Sequence, residues 1–171
     1  MSPALVPDPA QLRLVCLTAS DAAITMVVCT KAAEAPCPRC GQASHRAPSR
    51  SQRTRADLPW NGLAVPMRRQ AHRFFCDNRT GEQGLFTARI PTVAAPSARR
   101  TTRLAAWFTQ VAFALGGVPG ARLLRHSGCA ISRQTLLRQT LLRQIRSFPV
   151  ASGPTPTVLA VDDVAFRKGR T

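Results

Sequence analysis

The sequence predicts an α+β fold: a small β module, then a helical module, then an isolated β-run at the end of the chain. Three observations point there. Apolar runs of strand type fill residues 11–30 and again much of 58–76. Past Pro96 the apolar spacing lengthens to about 3.6 residues, the period of a helix. Residues 157–171, TVLAVDDVAFRKGRT, then return to an apolar run that leads into Asp162 and Asp163.

Taken in order, residues 11–30 read as two strands of a hairpin around Ser20-Asp21, with Cys16 and Cys29 as buried thiols inside the apolar runs. Asn61-Gly62 marks a turn between two extended segments. Pro66 places the second of these at a sheet edge, because proline has no N–H to give to a ladder. Phe74, Phe75 and Cys76 close that strand, and Leu85-Phe86 start another. Pro91 to Pro96 reads as a linker.

Ser97 is positioned to cap a helix in which Leu104, Trp107, Phe108, Val111 and Leu115 share one face, with Gly116-Gly117 ending it. Pro119 suits the first turn of a second helix over 119–126, broken by Gly128. Ser132 caps a third, running to about Ser147. A short helix, a tight glycine turn and a capped, arginine-rich helix make a helix-turn-helix pattern. The expected domains are therefore 1–92, 97–149 and 157–171, with SGPTP at 152–156 as a second linker.

The net charge is +16, and its placement is uneven. Residues 46–146 hold 18 arginines against Asp57, Asp77 and Glu82, whereas residues 1–45 are neutral overall. Such a block favours a polyanionic partner, above all nucleic acid. No run of eighteen apolar residues exists and no secretion signal opens the chain, so a cytoplasmic protein with no membrane partner is expected. In that compartment six cysteines with one Cys-x-x-Cys point to metal before disulfides.

Cys37-Pro38-Arg39-Cys40-Gly41 is a zinc knuckle by its local logic: a tight turn presents two thiolates to one tetrahedral ion. Two ordinary thiols are the competing reading. Cys76 is the natural third ligand. Asp77, His45 and His72 are possible fourths, and water could close a three-thiolate site at reduced zinc affinity. In the third helix Arg133, Gln134, Arg138, Gln139 and Arg143 are residue types that read base edges and clamp phosphates, although a solvated helix face shows the same ones. The repeat of Gln134–Arg138 as Gln139–Arg143 turns the copies to different faces and is best explained as a slipped duplication. Asp162 and Asp163 read either as a polar strand end or as carboxylates of a metal-dependent phosphoryl-transfer site.

Together CPRCG, TRADLPWNG, HRFFCDN, ARRTTRLAAWFTQVAFALGG, SRQTLLR and VLAVDDVAFRKG resemble, in this order, the signatures of bacterial insertion-sequence transposases of the ISL-three family. The resemblance runs from about residue 10 to the end. It implies a zinc ribbon and a helix-turn-helix that bind the element's terminal inverted repeats in double-stranded DNA. It also implies a ribonuclease-H-like domain whose carboxylate triad cuts and joins strands with Mg²⁺. Cys37, Cys40 and Cys76 match ribbon ligands, and Asp162 matches the first triad carboxylate with Asp163 beside it. Four departures stand out: Gly81 in place of a fourth ribbon cysteine, Ser127 at the end of the first helix of the pair, the five-residue repeat, and no second or third carboxylate. The expectation is a DNA-binding fragment, inactive in catalysis by itself, with a homodimer as a possible assembly. A repressor of transposition built from the same modules is the alternative, and an RNA-binding ribbon fits the charge but not the helices.

Overall fold

The computed structural model describes residues 5–78 and 84–138 of the 171-residue chain. They form an α+β structure with a mixed sheet and three helices. The strands are β1 (Leu12–Ala19), β2 (Ile24–Thr30), β3 (Ala35–Pro36), β4 (Ala43–Ser44), β5 (Ser49–Trp60), β6 (Leu63–Phe75) and β7 (Leu85–Thr87). The helices are α1 (Thr102–Leu115), α2 (Gly117–His126) and α3 (Arg133–Leu136).

The main sheet runs β1-β2-β6-β5, with β7 also on β6, while β3 and β4 form a separate two-stranded piece. β1 and β2 are the expected hairpin, closed by Ser20 and Ala23 and carrying a register shift between Leu14 and Cys16. Asn61 and Gly62 both have positive φ (45° and 80°), so their turn matches the right-handed strand twist and pairs Trp60 with Leu63. β5 and β6 are then long enough to act as the spine of the sheet.

β6 is central, flanked by β2 and β5, which corrects the expectation that Pro66 marks an edge strand. The parallel ladder with β2 covers Met67 to Gln70, and before it only an isolated bridge joins Ala23 to Ala64. Pro66 falls in that interruption. A proline is compatible with a central strand where one ladder is locally broken.

The register puts Leu12, Met26, Val28, Val65 and Met67 on one face, where they pack with Val6, Ile90 and Val93. Cys16 pairs with Val27 on the opposite face and is exposed, and Cys29 is only half-buried. The expectation of two buried thiols is thereby corrected. An unbroken apolar run reads as buried on both sides, but β1 is an edge strand covered on one. The Pro91–Pro96 stretch is likewise more than a connection: Val93 is buried, and Thr92 donates a 2.7 Å hydrogen bond to Asp8.

The first helix is capped by Thr101, not Ser97. Thr101 Oγ1 accepts from the Leu104 N–H at 3.3 Å, whereas Ser97 sits at φ 59° in the preceding turn. Leu104, Phe108, Val111 and Ala112 face inward with Leu124, Ile131 and Leu136, and Leu58 of β5 joins this second core. Leu115, expected on the same face, is exposed at the last position of α1, and Ala112 is buried instead. Gly116 ends α1 at φ 71°. Among the described residues no helix is long and apolar enough to cross a membrane.

Candidate metal centre and the arginine surface

The Cys37–Cys40 turn is built by local backbone demands. Cys37 N–H donates to the Gln42 carbonyl at 2.8 Å, and Gly41 N–H donates to the Cys37 carbonyl at 2.9 Å. Gly41 has φ 75°, a conformation that residues with a Cβ rarely adopt. Cys76 arrives at the end of β6, held by a 3.2 Å hydrogen bond from its N–H to the Gly84 carbonyl. Beneath them Ala35, Cys37, Phe74, Phe86 and Ala88 make a small core, with Phe74 and Phe86 stacked at 5.8 Å. That core fixes the turn against the strand.

The three sulfur atoms lie within 4.8 Å of one another, and Cys40 Sγ is 3.5 Å from Cys76 Sγ. Residues 36 apart in sequence are thus brought to one point, and the cluster could hold a metal ion. The N–H groups of Cys40 and Arg39 point at the Cys37 sulfur and pull its thiol down to about 7. At Cys76 the Asn78 N–H acts in the same direction, but burial and the neighbouring Cys40 and Cys37 sulfurs outweigh it and push that thiol up to about 11. One thiol is therefore prepared to lose its proton and its neighbour resists, the pattern of close groups that compete for a single negative charge.

Of the other candidate ligands, Asp77 is held by Arg46, whose Nη1 lies 3.2 Å from its carboxylate, and His72 rests against the Phe74 ring. Among the described residues neither these nor His45 joins the sulfur cluster. Gly81 lies outside the described residues.

Arg133, Gln134 and Arg138 are all exposed, while Leu136 between them is fully buried. Ser132 caps α3, accepting from the Thr135 N–H at 3.2 Å. Gln139, Arg143, Asp162 and Asp163 lie outside the described residues. Not anticipated from the sequence is a cleft of about 620 Å³ lined by arginines of β5 and β6. The signal was present, since Arg53 and Arg55 two apart must share a face of any strand. A charge count over a long block does not resolve such pairs.

No family model, curated protein or solved structure matches the chain.

Proposed function

We propose that this chain binds double-stranded DNA as the end-recognition part of a transposase of the ISL-three type, with a structural zinc ion at Cys37, Cys40 and Cys76. The observation that carries the reading is the pairing of α2 with α3 across a glycine turn. Gly128 at φ 86° reverses the chain, Ser132 caps the next helix, and Leu136 anchors it while Arg133, Gln134 and Arg138 face solvent. Those three side chains have the reach and donor pattern for phosphates and base edges, in a chain of net charge +16.

Zinc is favoured for the sulfur cluster by chemistry and by distance. Two thiolates on one tetrahedral zinc, each bonded at about 2.3 Å, lie roughly 3.8 Å apart. The 3.5 Å between Cys40 and Cys76 is close to that value and far outside disulfide length. The ion would lock the Cys37 turn to the end of β6, a role in folding and not in catalysis. Asp162, as first carboxylate of a catalytic triad with Asp163 beside it, and Mg²⁺ as its metal, rest on the sequence resemblance alone.

Fluorescence anisotropy with a labelled duplex tests the reading. The affinity should fall linearly with salt on a log–log plot, by about 0.9 log units for each phosphate neutralised. Arg133→Ala and Gln134→Ala should weaken binding. Absence of duplex binding at low salt, or binding indifferent to both substitutions, would overturn the proposal.

A further inference from the structure

Arg53, Arg55, Arg69, Arg73, Arg89 and Arg99 line one cleft, and among the described residues no Asp or Glu lines it with them. Arg53 and Arg69 are direct cross-strand partners, and Arg55, two residues along β5, shares their face. Like charges opposite one another destabilise a sheet, so the arrangement is unfavourable unless an anion sits among them. The volume of about 620 Å³ falls inside the ~300–1,000 Å³ typical of ligand clefts.

Burial sharpens the case. Arg69 is only 6% exposed, with Nη1 donating to the Ala88 carbonyl at 3.2 Å and Nε left without a partner. Arg55 is half-buried and its Nε is also unpartnered. Burial, with the charge of Arg55 adding to it, holds the Arg69 guanidinium below its ordinary pKa, and burial together with Arg53 does the same to Arg55. Arginine does not relieve such stress by losing its proton. An anion bound among these guanidinium groups would relieve it by supplying the missing counter-charge.

We propose that this cleft is a phosphate-binding site, with Arg69 at its floor, Arg55 beside it, and Arg53, Arg73, Arg89 and Arg99 at its rim. Guanidinium groups offer donors and no acceptors, which suits a ligand made of acceptor oxygens. A peptide carboxylate would bring backbone N–H groups for which these side chains provide nothing. The phosphate can belong to a nucleic-acid backbone or to a free polyphosphate. The site uses none of the α3 residues, so it stands whether or not α3 binds DNA.

The test is calorimetric titration of the full, zinc-supplemented chain with pyrophosphate, with a short single-stranded oligonucleotide and tetraglutamate as competitors. Pyrophosphate should bind once per chain and raise the melting temperature. The Arg53→Gln/Arg99→Gln double variant, altered only at exposed positions, should lose about tenfold or more in pyrophosphate affinity, as expected for charge-assisted hydrogen bonds. Arg133→Gln should lose nothing, which separates this site from duplex binding by α3. Displacement of pyrophosphate by the oligonucleotide identifies a backbone as the source, and its failure to compete identifies a free polyphosphate. No saturable pyrophosphate binding, unchanged affinity in the double variant, or tetraglutamate binding as tightly as pyrophosphate would each overturn the assignment.

Discussion

Asp57 on β5 holds Arg103 on α1, with its carboxylate oxygens 2.8 Å from Nε and 2.5 Å from Nη2 of the guanidinium. The same carboxylate accepts a 2.7 Å hydrogen bond from Thr101 Oγ1, the residue that caps the helix. Its side chain has no exposure to solvent. Alongside, the Thr101 N–H donates to the Ala56 carbonyl and the Ala56 N–H to the Arg99 carbonyl. One buried acid therefore fixes where the helical part begins relative to the sheet.

Asp57→Ala should accordingly be among the most damaging single changes in the chain. It leaves Arg103 without its buried counter-charge and Thr101 without its acceptor. Breaking a buried, hydrogen-bonded ion pair costs about 3–5 kcal/mol. Urea unfolding should show a loss of that order, and a loss under about 1 kcal/mol would mean that the pair does not organise the junction.

Two glycines with nearly equal φ should respond differently to alanine. Gly128 lies at φ 86°, and a Cβ there would stand 2.4 Å from the carbonyl oxygen of Gly62, so the turn after α2 rests directly on the tip of the β5–β6 hairpin. Gly41 lies at φ 75° with nothing within 4 Å of its Cβ position. Gly41→Ala should cost only the backbone strain, about 1–2 kcal/mol. Gly128→Ala adds overpacking of about 1–3 kcal/mol against rigid backbone. Equal losses in parallel denaturation curves would refute the contact.

Much of this fold was legible because the signals were local. The Asn61-Gly62 turn, the Ser132 cap and the end of α1 at Gly116 each depend on a few neighbouring residues whose backbone preferences are strong. What escaped detection depends on partners far along the chain. Pro66 reads as an edge residue until the β2 ladder is seen to begin just after it. Thr101 displaces Ser97 as cap because Asp57, 44 positions away, bonds its hydroxyl. The sulfur cluster lay between these cases: the Cys37–Cys40 spacing announced itself, and β6 had to be long enough to deliver Cys76.

If the cluster holds zinc, Cys76→Ser should reduce zinc retention sharply. It should also loosen the Cys37 turn without unfolding the main sheet, whose core is formed by other residues. Zinc content after dialysis and amide exchange over residues 35–44 would read both effects. Full retention of zinc by the serine variant would remove Cys76 from the ligand set.

The pH dependence of metal binding gives the most discriminating prediction. Cys37 has its folded-state value lowered from 9.0 to about 7. A lowered value means the thiolate favours the fold, so in the metal-free chain this contribution is complete above pH 9 and is lost as pH falls through 7. For zinc the consequence is a bend. Below pH 7 the ion must displace a proton from Cys37, adding about one log unit of affinity per pH unit, and above pH 7 it need not. Cys76, raised to about 11, still holds its proton on both sides of the bend and contributes a constant slope. A plot of log zinc affinity against pH should therefore lose about one unit of slope near pH 7, with proton release per zinc falling in step. Competition with a chromophoric chelator from pH 6 to pH 8 would measure it, and a straight line across that range would show that no thiol ligand of the cluster titrates near pH 7.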